Sequence, residues 1–373
     1  MKRSAFIALT VGLLLFVALL AWRGVGLIAQ TFLTAGWGIV VVALFHLLPL
    51  FLDSAAAAVL LPRDRSPRRS SASTFWRVTG ARWACESVNS LMPAGQMGGP
   101  VVMARLLATR STAAAQRTTA QRHAPDRSPI PDPIPSRTID DTAPLPGASH
   151  RYDAVDAGAI VTVATTQQMF SQGVFAMLGI LALTLHVGTH ALIWPLIIAI
   201  ALFTAAGMLF YKAQRRGLFS WFAGWLARTR IGRNRPTLVA AAAKLDQRIG
   251  SVYTNTRTVR ASFLLHLVGW IVGTGEVWLA MHFIGHPVSW TEAFILESLG
   301  QAIRGAAFAI PGALGVQEGG LLVLAPLLGI SPEAAIALSL CKRARELLLG
   351  LPGLLYWHWR ERTLRRRFLL TAH

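Results

Sequence analysis

Two cysteines, Cys85 and Cys341, are the only thiols in this chain of 373 residues. Neither belongs to a CxxC pair or a Cys/His ligand spacing, so a disulfide framework and a thiolate metal site are excluded and two inert free thiols are expected. Charge is scarce as well, at 14% of residues against 53% hydrophobic ones. That balance excludes an ordinary soluble domain and points to an all-α polytopic membrane protein. Acidic residues are the scarcer sign, 17 against 36 Lys and Arg, for a formal net charge of +19. The basic residues gather in loops between apolar segments, which is the pattern of cytoplasmic loops facing anionic lipid, so no nucleic-acid partner is expected. Catalytic signatures are missing too. No GxSxG, HExxH, P-loop or DxD-like pair is present, and the expectation is a protein that is not an enzyme, with no cofactor and no metal.

Along the chain, Lys2 and Arg3 precede the apolar run Ala5 to Ala21, which lacks a small-residue cleavage site and reads as an uncleaved first span. Trp37 to Leu61 is a second span that ends in Arg63, Arg65, Arg68 and Arg69, so the amino terminus is cytoplasmic. Asp53 within it is read as a structural residue, either paired or hydrogen-bonded to backbone within the bundle. Trp76 to Leu107, with Asn89, Pro93, Gly95, Gly98, Gly99 and Pro100, is a poor simple span and closes a first membrane unit, 1–107. Residues 108–156 hold seven prolines, six arginines and six aspartates and read as a disordered linker.

Two spans follow in 157–211, joined by an external turn with His186 and His190. No third ligand lies near those histidines, so interfacial hydrogen bonding is the reading preferred to a metal site. Residues 212–262 form a basic cytoplasmic loop in which Phe219, Trp221, Phe222 and Trp225 sit among arginines as an interfacial anchor. Leu238, Ala242, Leu245, Ile249, Val252 and Val259 then mark one face of an amphipathic helix, lying on the bilayer or on the bundle. A second membrane unit, 263–359, precedes the basic tail 360–373, which makes the carboxy terminus cytoplasmic.

The second unit carries the chemistry. Glu276 lies between glycines inside the span Phe263 to Ile284, and an intramembrane carboxylate is a functional hypothesis by default. Pro311, Gly312 and Gly315 break the helix just before Glu318, and such a break is tolerated in a bilayer only where protein or a water-filled cavity satisfies the freed backbone. Lys342, Arg343, Arg345 and Glu346 interrupt the apolar run Ala334 to Trp359. At roughly 2.5 to 3.5 kcal/mol per charge at a helix centre, four lipid-facing charges would cost about 10 kcal/mol or more, so they face inward. Lys342 and Arg343 are both spaced to pair with Glu346. The alternative places these charges at a cytoplasmic boundary, with Gly and Pro merely common in membrane helices. The candidate lipid-binding set is Glu276, Arg304, Glu318, Arg343, Arg345 and Glu346. They either hold the fold or line a hydrated head-group path.

The chain also matches itself. Gln96 to Leu107 agrees with Gln317 to Leu328 at seven of twelve positions, and each copy follows a Glu-Ser pair, Glu86-Ser87 and Glu297-Ser298. The expected architecture is about six spans plus two broken, re-entrant helical segments related as an inverted repeat, the arrangement from which transporter sites are often built.

The runs Glu297 to Arg304, Phe308 to Gly320, Lys342 to Glu346 and Gly350 to Gly353, with Glu86 to Pro93, Gly269-Trp270 and Glu276 to Trp278, carry a resemblance. They resemble the hopanoid-associated HpnL branch of the superfamily that includes the membrane domain of lysylphosphatidylglycerol synthase. The resemblance implies a bacterial inner-membrane protein that moves or flips a lipid, with a hopanoid or an anionic phospholipid as its partner. Two departures stand out: the linker is an insertion, and Val163 to Thr166 stands where an aspartate is expected. The rival readings are a membrane enzyme that modifies a lipid head group and a scaffold for lipid-biosynthetic or transport proteins.

Overall fold

The computed structural model describes residues 34–62, 71–92, 98–108, 153–188, 193–229, 236–307, 310 and 313–370. Among them every regular element is helical. Three helical stretches are long and apolar enough to cross a membrane, Gly38–Ala58, Ala154–Val187 and Thr256–Phe283. The first is two helices in line, α1 (Gly38–Phe45) and α2 (Leu47–Ala58). Pro49 has no N–H for the carbonyl of Phe45, and the helix loosens at His46. The expected span Ala5 to Ala21 and the bulk of the linker lie outside the described residues.

Trp76 to Leu107 resolves into α3 (Ser71–Leu91) and α4 (Gly98–Leu107). They form an antiparallel hairpin: Asn89 Oδ1 accepts from the Gly99 N–H at 2.9 Å near its tip, and Arg77 donates to the Leu107 carbonyl at 3.3 Å at its open end. Helix α5 (Ala154–Val187) begins inside the stretch read as linker, because Asp153 caps it through the Asp156 N–H at 2.7 Å. The span read at Ala191 to Tyr211 is α6 (Ile193–Arg215).

The basic segment read as a loop is mostly helix, α7 (Leu218–Ala227) and α8 (Pro236–Thr254). Asp246 of α8 accepts from the N–H groups of Phe219 and Ser220 and so caps α7 from outside. Trp221, Phe222 and Trp225 remain exposed. The apolar face of α8 packs on the bundle: Ile249 and Tyr253 are buried with Ile160 and Ala164, and the Tyr253 hydroxyl donates to Gln214, which donates to Thr166. Val259 is not on this helix, since Asn255 ends it and caps α9 (Thr256–Phe283).

Helix α10 (Trp290–Ala306) opens on a capping box in which the Ser289 hydroxyl accepts from the Glu292 N–H and the Glu292 carboxylate from the Ser289 N–H. Then come α11 (Val316–Leu324), a 3-10 turn (Ala325–Leu328) and α12 (Pro332–Leu370). Arg304 reaches back to Gln317, and Gly320 lies against Ile303, so α10 and α11 form a second antiparallel hairpin.

The two halves repeat one packing scheme. Exchange α1–α2 with α9, α3 with α10, α4 with α11 and α5 with α12, and the same helix pairs touch. Helix α3 packs on α12 as α10 packs on α5, and α4 on α5 as α11 on α12. The α1–α2 stretch meets α9 antiparallel, with Gly38 at Phe283, Phe45 at Gly275 and Asp53 at His266. A two-fold axis relating such a pair lies across the helices, which is the inverted relation expected from the repeat. Close approaches match as well. The Ser87 hydroxyl presses on Gly353 and the Ser298 hydroxyl on Gly179, where a β-carbon would stand within about 2 Å of each oxygen.

Exposure is inside out relative to a soluble protein. Leu202, Leu209, Val323 and Leu355 are exposed, whereas Glu276, Glu318, Lys342, Arg345 and Glu346 are at most 6% exposed. Apolar side chains outward and charges inward is the distribution a bilayer selects.

Candidate membrane-embedded charge site

The sequence places carboxylates and cations on six different helical stretches, and the fold brings them to the middle of the bundle as three linked networks and one further buried pair. In the first, Gly315 holds φ at 79°, which turns its N–H toward Glu318 in the first turn of α11. Glu318 Oε2 accepts from it at 2.7 Å, and Oε1 accepts from the Ser339 hydroxyl and from Arg343 Nε, each at 3.0 Å. Arg343 also donates to Glu346 at 2.9 Å, and Glu346 accepts from Arg304 of α10. The break before α11 is thus tied to α10 and α12 by one carboxylate–guanidinium chain. Pro311 and Gly312 lie outside the described residues, as do Pro93 and Gly95 of the first hairpin.

Lys342 does not pair with Glu346. It points to α10 and bonds Glu297, whose other oxygen accepts from Gln301 at 2.8 Å. An intrahelical pair would leave Glu297 buried without a cation, so the interhelical partner wins.

In the second network His46 lies between two carboxylates. Its Nδ1 is 2.7 Å from Glu276 Oε2, and its Nε2 is 2.7 Å from Glu86 Oε1. Each ring nitrogen thus lies within hydrogen-bond reach of a carboxylate on a different helix. Arg345 Nη1 stands 3.0 Å from His46 Nε2 and 3.5 Å from Glu86 Oε1, and its Nε is 3.1 Å from Glu276 Oε1 without hydrogen-bond alignment. A histidine ring and a guanidinium thus face two carboxylates. In the third network Asp53 accepts from Arg82 at 2.8 Å, lies 2.6 Å from His266 Nδ1, and accepts from Gln168 at 3.4 Å. Arg345 and Glu346 are neighbours in sequence and Arg82 and Glu86 share a face of α3, so the networks adjoin.

The sequence reading named Glu276, Arg304, Glu318, Arg343, Arg345 and Glu346. The structure joins Arg304, Glu318, Arg343 and Glu346 in one network and Glu276 with Arg345 in the next. It adds His46 and Glu86 as direct partners of Glu276 and Arg345, and Glu297 with Lys342 as a separate buried pair. The signal for His46 was available: an ionisable residue inside the apolar run Trp37 to Leu61 merits the reasoning applied to Glu276. Asp53 is paired, the first of its two structural readings. Cys85 and Cys341 are free and buried, and no metal-holding group of three His, Cys, Asp or Glu occurs among the described residues.

Two clefts border the networks. One is lined by Gln301, Arg304, Gln317 and Lys342 with Val277, Leu296 and Leu321, the other by His46, Trp83, Glu86, Ser87, Arg345 and Glu346. Each has room for about one water molecule, so neither cleft holds a larger ligand in this arrangement.

Residues 147–353, more than half of the chain, match the family described as the lysylphosphatidylglycerol synthase TM region. No curated protein and no solved structure matches the chain. The match takes in Glu276, Glu297, Arg304, Glu318, Lys342, Arg343, Arg345 and Glu346, while His46, Asp53, Arg82 and Glu86 come from the segment before it. By its matched bundle and its apolar helices, the chain is a membrane protein that belongs to the lysylphosphatidylglycerol synthase TM region family.

Proposed function

We propose that this protein moves an amphiphilic lipid across the bacterial inner membrane and performs no chemistry on it, with both termini cytoplasmic. The observation that carries the reading is the buried charge belt placed where two inverted halves meet. A structure of two equivalent halves has a second arrangement, reached by exchanging their roles, that opens the same central site to the other side. Each carboxylate in the belt already has partners on other helices, so ion pairs can trade as the halves shift. The lipid's head group passes the charges while its hydrophobic body stays against the exposed apolar flanks.

The cargo favoured by the resemblance of the carboxy-terminal motifs is a hopanoid, with an anionic phospholipid second. The exposed aromatic edge of α7, with Trp221, Phe222 and Trp225, supports a further role as a docking surface for lipid-biosynthetic partners. The test is reconstitution into liposomes with a fluorescent hopanoid or fluorescent phosphatidylglycerol and a membrane-impermeant quencher. Protein-dependent loss of protected fluorophore is expected, with the lipid recovered chemically unchanged. A modified lipid would make the protein an enzyme, and an unchanged, unmoved lipid of either class would favour the docking role.

A further inference from the structure

Four buried polar atoms recur at every fourth residue of α9: Ser262 Oγ, His266 Nε2, Trp270 Nε1 and Thr274 Oγ1. None has a hydrogen-bond partner among the described residues. Ser262, His266 and Thr274 are at most 1% exposed. Buried polar groups in native proteins are paired, and where protein supplies no partner an ordered water does. Four residues of helix rise about 6 Å, the span of two hydrogen bonds through one water, so the row, about 18 Å long, has the spacing of a file of bridging waters.

This file meets exchangeable groups. His266 Nδ1 bonds Asp53, Asp53 bonds Arg82, and Arg82 Nε is a further buried atom without a partner. One turn along α3 from Arg82, Glu86 bonds His46, and His46 bonds Glu276. Polar groups therefore run from Ser262, two turns inside the basic-flanked start of α9, to the centre of the bundle. Water, carboxylate and imidazole all pass protons, and a buried His/Asp/Glu chain in a membrane protein is the usual material of a proton relay; the Trp270 indole and the Arg82 guanidinium only donate, so there the proton passes along the bridging water and not through the side chain.

We infer that this row is a proton path from the Ser262 end of α9 to His46, and that lipid movement is coupled to proton binding and release there. The inference rests on the transport reading above. The groups that face His46 are Glu86 from α3, Glu276 from α9, and Arg345 from α12, with Glu346 in the same cleft and Lys342 beside Glu276. With His46 protonated, His46 and Arg345 balance Glu86 and Glu276. When the proton leaves by Nε2 toward Glu86, that nitrogen accepts from Arg345 Nη1, 3.0 Å away, Glu86 loses its ring donor, and the group carries one net negative charge. The excess charge lies where the two halves meet and changes the attraction across that seam. The proton gradient is the energy source, and the proton is conserved throughout: it enters from one aqueous side, rests on the ring, and leaves to water.

The test uses the full chain in liposomes holding a pH-sensitive dye, with the membrane potential clamped and fluorescent phosphatidylglycerol in the outer leaflet. Opposite pH gradients should change the rate of lipid movement by about tenfold, with a matching lumenal pH change. His46→Arg keeps the cation but exchanges no proton, and His46→Gln removes both, so each should abolish the gradient response. Ser262→Ala with Thr274→Val leaves every ion pair intact, is expected to fold, and should slow the response through loss of the file. Lipid movement indifferent to the gradient would overturn the coupling while leaving transport standing. Dye response without lipid movement, lost in His46→Gln, would retain the path and sink the lipid reading; no response of either kind overturns both. A wild-type response in His46→Arg, or in the double hydroxyl variant, would also overturn the path.

Discussion

His46 Nδ1 and Glu276 Oε2 lie 2.7 Å apart across 230 residues of sequence, at the point where the antiparallel α1–α2 and α9 stretches cross. Gly38 meets Phe283 on one side of that point and Asp53 meets His266 on the other. The contact therefore lies on the seam between the two halves, where an interaction is broken and remade if the halves exchange roles.

The Lys342–Glu297 pair offers a direct measure of what burial does to a charge. Removing one partner leaves the other unpaired in a low-dielectric bundle, so Glu297→Gln and Lys342→Met should each lower stability by about 3 to 5 kcal/mol. The combined Glu297→Met, Lys342→Met variant should recover most of that loss, since two apolar groups of similar size replace a desolvated pair. Thermal unfolding in detergent reads the three variants. Additive losses would mean that the pair is solvated after all.

The matched serine–glycine contacts predict matched sensitivity. Gly179→Ala and Gly353→Ala place a methyl within about 2 Å of Ser298 Oγ and Ser87 Oγ, inside the packed seams α5–α10 and α3–α12. Each should destabilise by about 1 to 3 kcal/mol through overpacking. Gly273→Ala on α9 has nothing within 4 Å and should be neutral or stabilising by about 0.5 to 1 kcal/mol, because alanine is the better helix former. Equal tolerance at all three glycines would remove the seam argument.

Much of this architecture was legible in the sequence because a bilayer narrows the choices. Apolar runs had to be helices, and charges inside them had to face inward and pair. The twelve-residue repeat located both hairpins. Partner choice was not legible: Lys342 is spaced for Glu346, yet tertiary packing brings Glu297 closer. His46 and Glu86 escaped because each is a single polar residue whose meaning depends on a helix more than 200 residues away. The amphipathic period ran through Val259 because Asn255 breaks the helix without breaking the pattern.

Topology gives a prediction that does not depend on any lipid. In a Cys85→Ala, Cys341→Ala background, a cysteine at Ala108, at the open end of the first hairpin, should react with an impermeant reagent from the cytoplasmic side only. One at Ser289, at the open end of the second, should react from the opposite side. Labelling of both from one face would refute the inverted relation of the halves, whatever the helix packing suggests.

Glu318 separates the fold-holding role of the belt from its transport role. Its two oxygens serve different masters: Oε2 holds the Gly315 N–H at the break, and Oε1 holds Ser339 and Arg343. Glu318→Gln keeps a carbonyl oxygen to cap Gly315, and Arg343 retains Glu346, so the variant should insert and fold with a loss of about 1 to 3 kcal/mol. Glu318→Ala removes the cap as well, frees a buried N–H beside a positive-φ glycine, and should unfold the second hairpin. Because Arg343 can no longer trade between two carboxylates, Glu318→Gln should move lipid poorly despite folding. Liposome transport and a thermal scan of the same preparation read both properties, and full transport by the folded variant would return Glu318 to a purely structural role.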